Sequence, residues 1–151
     1  MSCRCALLFV TPFDSDTRAV DLATGRYGYG HVAIWGGQMT RDHEPIVLDA
    51  AIDVGVTMRR LRAMTRGAPF RHVALDEALG CFIFERAAAL VGRPYDFVGL
   101  AKRRLRSDRF TCSGLVAACM PHHLRARLEP KRRPIAPNDL AQLFGVPSWP
   151  R

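Results

Sequence analysis

Lysine is almost missing from this 151-residue chain; of its 22 basic residues only Lys102 and Lys131 are lysines, and the rest are arginines. Long apolar runs are missing too. None approaches the roughly 18 residues that a membrane-spanning helix requires. The stretch "ALLFV" near the start is too short for a signal-peptide core and has no small-residue cleavage site after it. The sequence therefore predicts a chain that is cytoplasmic as synthesised. Its five cysteines are an odd number without a disulfide framework. Cys3 and Cys5 form a C-x-C pair, but a second ligand pair would have to come from residues as distant as His122 and His123. Structural zinc usually shows two paired knuckles, so no metal site is expected, and no cofactor is suggested. There is no repeat, low-complexity tract or linker, which predicts one domain over residues 1–151.

What is present is ordinary in amount and uneven in placement. Hydrophobic residues make up 48% and charged residues 24%, the balance of a globular domain, and the net charge is +8. The positive charge is clustered at Arg59, Arg60, Arg62, Arg66 and Arg71, at Lys102, Arg103, Arg104, Arg106 and Arg109, and at Arg125, Arg127, Lys131, Arg132 and Arg133. Such clusters suit an anionic partner, for example cell wall or lipid headgroup. Nucleic acid is not indicated, because no motif interleaves aromatics with the charges. The oligomeric state is not legible.

"CALLFVTP", "HVAIWGG", "PIVLDAA", "GVTMRRLRAM" and "FRHVAL" read as strands. "DSDTRAVDLATG" reads as a helix capped by Asp14 or Asp16 and stopped by Gly25. In "LDEALGCFIFERAAALVG" apolar residues recur at helical spacing up to Gly92. "PYDFVGLAKRRLRS", "TCSGLVAACMP" and "PNDLAQLFGVP" complete the expected helices. A block of strands followed by helices predicts an α+β fold.

Two residues are candidates for chemistry, each with a packing role as the alternative. Cys112 opens an apolar helix behind a capping Thr111, where free N–H groups and the positive end of the helix dipole stabilise a thiolate. The same N–H groups can bind the oxyanion of a tetrahedral intermediate. Cys81 and Cys119, inside apolar helices, read as packing groups. His31 heads a strand and shares one face with Ala33 and Trp35, between glycines that leave room for an approach. Imidazole titrates near neutrality and can serve a thiol as base. Asp49, on the next strand, can hold the ring in its productive tautomer or can serve as a strand-end turn residue; Glu44 and Gln38 are weaker substitutes. His43 falls in a polar turn, His72 on a strand as filler, and His122 and His123 in a loop. "GYGHVA" matches a dinucleotide-binding fingerprint, but the order of strand and helix around it is reversed, so the match is accidental.

"GRPYDFVGL…RFTCSGLVAACMP" resembles the nucleophile region of NlpC-type papain-like hydrolases. The histidine strand precedes the cysteine here, which is similar to the circularly permuted branch, the YiiX/YaeF-type hydrolases related to lecithin retinol acyltransferase. "VLDAA", "DVGV" and "IAPNDLAQ" match further segments of that branch, so the resemblance spans roughly residues 6 to 145. It implies a papain-like, circularly permuted fold with an antiparallel sheet packed against helices. It makes Cys112 the nucleophile, His31 the base and Asp49 the orienting residue, with Tyr95, Ser113 and Trp35 as oxyanion or substrate-binding candidates. Two residues depart from the pattern: Thr111 stands where an aspartate is common, and Gly30 where a serine precedes the histidine. The expected activity is hydrolysis of an amide, ester or thioester through an acyl-enzyme, on a peptidoglycan peptide or an N-acyl or lipid substrate. Action on cell wall would require a phage-encoded role or a dedicated export machine. The alternative expectation is a catalytically inactive basic module on the same fold.

Overall fold

The computed structural model describes residues 4–23, 27–96, 108–128 and 134–150. Five strands, β1 (Ala6–Val10), β2 (His31–Met39), β3 (Pro45–Ala51), β4 (Gly55–Arg60) and β5 (Phe70–Ala74), form one sheet in the order β4-β3-β2-β1-β5. Every neighbouring pair is antiparallel. The helices are α1 (Ser15–Ala23), α2 (Leu61–Thr65), α3 (Glu77–Ala88), α4 (Cys112–Cys119), α5 (His122–Arg125) and α6 (Pro137–Leu143). The fold is α+β, as the element order implies. Among the described residues no helix is long and apolar enough to cross a membrane.

The unbroken apolar run of β1 has a direct cause. All five of its residues are buried, because the sheet is covered on both faces. On one face Leu7, Phe9, Val32, Ile34, Leu48 and Val56 pack under Ile83 of α3, Leu115 and Val116 of α4 and Leu140 of α6. On the other, Leu8, Val10, Ala33 and Val47 meet Met64 of α2, with Phe13, Trp35 and Leu61 around them. A strand with two apolar neighbours cannot show the alternation of a half-exposed one. The edge strand β5, whose residues alternate between exposed and half-buried, does show it.

Several boundaries differ from the sequence expectation. The strand expected over residues 55–64 ends at Arg60, and residues 61–65 turn into α2 because Leu61 and Met64, three apart, both cover the second face of the sheet. Strand β2 does not stop at Gly36–Gly37 but runs on to Met39 through a register shift, with Gly37 at φ 86° carrying the irregularity. The long helix is α3 alone, begun by Asp76, whose carboxylate accepts the Leu79 N–H at 2.9 Å. His122 and His123 lie in the single turn of α5 and not in a loop, since Pro121 ends α4 and opens α5. The basic helix expected over residues 94–107 falls outside the described residues from 97 onward, and so does the Gly25 stop. Asp14 is the cap of α1: its carboxylate accepts the Thr17 N–H at 2.8 Å, while the Asp14 N–H donates to Thr17 Oγ1 at 3.1 Å.

Candidate active site

The β2–β3 ladder is regular at Ile34↔Leu48 and is not continued toward residues 31–33 and 49–51. The N-terminus of α4 faces that end of β2. Continuing the register would set Asp49 opposite Ala33, which leaves His31 as its diagonal neighbour on the same face. The contact is made: His31 Nε2 and Asp49 Oδ2 are 2.7 Å apart. On the far side of Asp49, β4 sets Thr57 opposite it and brings Arg59 in diagonally. Arg59 donates from Nε to Oδ1 at 3.1 Å and from Nη2 to Oδ2 at 2.6 Å.

Cys112 is the first residue of α4, and its cap is Thr111, whose hydroxyl accepts the Gly114 N–H at 3.0 Å. The N–H groups of Cys112 and Ser113 therefore have no acceptor within the helix. The thiol is hydrogen-bonded to His31, and the Val32 backbone N–H points at it as well. With Nε2 on Asp49, Nδ1 is the ring nitrogen left for the thiol. Asp49 is 1% exposed, and His31 and Cys112 are each 6% exposed, so only a narrow face of the pair reaches solvent.

Burial works against every charge here, and the partners decide the outcome. Burial would raise the Cys112 thiol, but the His31 charge and hydrogen bond and the Val32 N–H bring it below the ordinary thiol range. Burial would lower His31, but the Cys112 charge and the bonds to Asp49 and Cys112 push it up to about 10. Burial would raise Asp49, yet His31 and Arg59 hold it below the usual carboxylate range. The favoured state is a thiolate–imidazolium pair with an ionised aspartate behind it. Tyr95 is half-buried on the segment bridged to Phe110. Burial first, then the charges of Cys112, Asp16, Asp96 and Asp49, raise its hydroxyl well above the ordinary tyrosine range, so it keeps its proton.

The six residues singled out from sequence fare differently. Cys112, His31 and Asp49 come together, and Tyr95 lies within reach of their field. Ser113 commits its hydroxyl to the Ile135 carbonyl at 2.6 Å, so its contribution at the thiol is its backbone N–H. Trp35 is four residues along β2 from His31, about 13 Å at the strand rise. Its indole donates to the Gln38 carbonyl, and it packs under α2, so it does not reach the pair. Glu44 accepts the Arg62 N–H at 2.9 Å in the β2–β3 turn, whereas the imidazole contact is made by Asp49. His43, His72, His122 and His123 are all exposed. Cys119 is buried, and its burial pushes the thiol up to about 11, as fits a packing group. Among the described residues no cluster of His, Cys, Asp and Glu could hold a metal.

Sequence inspection missed Arg59, taken there as part of a basic patch, and Phe13, whose ring meets His31 edge-on at 6.2 Å. A hairpin count could have found the arginine, since Ala51↔Gly55 pairing around the turn leads to Asp49↔Thr57 and its diagonal Arg59. The first basic cluster is also not bare. Arg60 pairs with Asp42 and Glu44, Arg66 stacks over Phe13, and Arg71 stacks over Trp149.

The glycine-rich approach "YGYG" is a clamp. Tyr27 and Tyr29 donate their hydroxyls to the Val146 and Pro147 carbonyls, and Asn138 of α6 accepts the Tyr29 N–H at 3.0 Å. Gly30 is required by contact: a Cβ there would lie 2.5 Å from the Thr17 carbonyl oxygen of α1. The serine common in the resembling branch would not fit this chain.

No protein-family model matches the chain, and no curated protein matches its sequence.

Proposed function

We propose that the chain is a cysteine hydrolase of papain-like architecture, circularly permuted so that the histidine and acid strands precede the nucleophile helix. The observation that carries this is the buried line Asp49–His31–Cys112 ending at a helix N-terminus. In this mechanism the Cys112 thiolate attacks an acyl carbon. The N–H groups at the start of α4 receive the developing oxyanion, and the Tyr95 hydroxyl is the side-chain donor assigned to assist them. The His31 imidazolium gives its proton to the leaving amine, alcohol or thiol, and the acyl group stays on sulfur. Neutral His31 then takes a proton from water, which attacks the thioester and frees the acid. Asp49 keeps Nε2 engaged throughout.

The test is alkylation of Cys112 by iodoacetamide as a function of pH, with the adduct located by mass spectrometry. Cys112 should react with a midpoint below the unperturbed value of about 8.5. His31→Ala should lose that advantage. Buried Cys119 serves as the unreactive control. A midpoint at the ordinary thiol value, indifferent to His31, would rule out the hydrolase. Among substrates, purified sacculi should release new amines under reducing conditions if peptidoglycan peptides are cleaved. N-acyl or lipid substrates are the other class to screen.

A further inference from the structure

Asp49 sits between two cations, and only one of them belongs to the triad. Its Oδ2 is shared: His31 Nε2 lies 2.7 Å away and Arg59 Nη2 2.6 Å away, while Arg59 Nε takes Oδ1 at 3.1 Å. The carboxylate is 1% exposed, and the paired β2–β3 register ends at Ile34↔Leu48, one residue short of it. The two-pronged contact from β4 holds it in place. We propose that Arg59 is a positioning residue of this site, a fourth member that fixes the Asp49 carboxylate in the plane and rotamer from which it can hold the imidazole against Cys112.

A guanidinium suits the role because its fork engages both carboxylate oxygens at once and so fixes orientation as well as charge. A single ammonium or amide can fix only one. The Arg59 side chain is 22% exposed, so its own charge stays partly hydrated while the carboxylate it grips is dry. A purely surface ion pair would not have one partner fully buried in this way. The titratable and charged groups acting on one another here are His31 of β2, Asp49 of β3, Arg59 of β4 and Cys112 of α4, with Tyr95 of the bridged segment in the field of Cys112 and Asp49. Among these Arg59 is the cation that does not exchange its proton during the reaction.

The inference rests on the hydrolase reading, and its test separates the two. Cys112 alkylation against pH is measured in the wild type, His31→Ala, Arg59→Gln and Arg59→Lys, with unreactive Cys119 reporting that each variant is folded. Loosening Asp49 weakens its hold on the imidazolium, and removing the positive charge disfavours the thiolate directly. Both effects act in one direction. In Arg59→Gln the Cys112 midpoint should rise by about one pH unit, a tenfold loss of reactivity at a fixed pH below it. Arg59→Lys keeps the charge but not the fork and should rise by less. A folded Arg59 variant of either kind at the wild-type midpoint, with the wild type still low and dependent on His31, overturns the role of Arg59 alone. An ordinary wild-type midpoint overturns both. Should Arg59→Gln fail to fold, Arg59→Lys carries the decision, since it leaves no buried charge unpaired.

Discussion

At the scale of single residues, proton affinity is set by contacts that no local composition encodes. Cys112 and Cys119 lie on the same helix, seven residues apart, both almost fully buried. One thiol is lowered and the other raised to about 11 because only the first faces an imidazolium and a helix terminus. For the proposed hydrolase the activity profile follows with definite signs. The reactive form needs Cys112 deprotonated and His31 protonated. Activity should therefore rise through a midpoint below the ordinary thiol value and fall near pH 10, where His31 loses its proton. A profile of kcat/KM against pH checks both limbs. Asp49→Asn should lower kcat by about 10²-fold or more while changing KM little, because it disturbs the base and not the binding surface. Gly30→Ser should destabilise the fold by about 1–3 kcal/mol, read by urea denaturation, because the added Cβ meets α1 backbone that cannot move aside.

At the scale of elements, α4 joins packing to chemistry. Its body buries Leu115 and Val116 against the sheet, and this anchors its first turn at the end of β2. Thr111 stops the helix one residue before the cysteine, so the unpaired N–H groups fall at the sulfur. Thr111→Ala should cost about 1 kcal/mol of stability and also raise the Cys112 alkylation midpoint. A change in melting temperature without any change in the midpoint would separate the cap's structural role from its chemical one. The hydrophobic pattern identified this helix, the cap and the cysteine directly. The pattern misled at residues 61–65, where three-residue spacing in a short segment decided for helix only because the second sheet face lay beneath it. It also stopped β2 too early, since paired glycines signal turns as readily as bulges, and which of the two forms depends on the Phe84 ring that comes to lie against Gly36.

At the scale of the whole molecule, the histidine strand is fastened to the far end of the chain. Asn138 is fully buried, accepts the Tyr29 N–H and donates to Asp21 at 3.1 Å. The aspartate in turn accepts the Gly28 N–H at 2.7 Å. Asn138→Ala should leave these groups short of partners and cost about 1–3 kcal/mol. Because the loop it holds leads straight into His31, the variant should also lose Cys112 reactivity at neutral pH while still folded, measured by alkylation below its melting temperature. The charge distribution reads differently at this scale as well. Four arginines of the first basic cluster are engaged with acids or rings of the same chain, so their guanidinium groups are not free to reach out to a partner.

The sequence alone determined the α+β class, the strand and helix carrying His31 and Cys112, and the cap that exposes the thiol to a helix terminus. Those depend on periodicity and on residues adjacent in the chain, which a linear pattern records. From the residues alone Asp49 read first as a strand-end turn acid, and only the resemblance gave it the orienting role. Only the tertiary structure brought its carboxylate to the imidazole, across the diagonal between β2 and β3. The structure alone also moved Arg59 from a basic patch to the back of Asp49, turned the Ser113 hydroxyl away to Ile135, and set Trp35 far along the strand. Ser113 is turned by the packing of α4 against residue 135, and the other three share one physical reason. A side chain's partner is set by sheet register and strand separation, and a shift of one residue in either exchanges one face for the other.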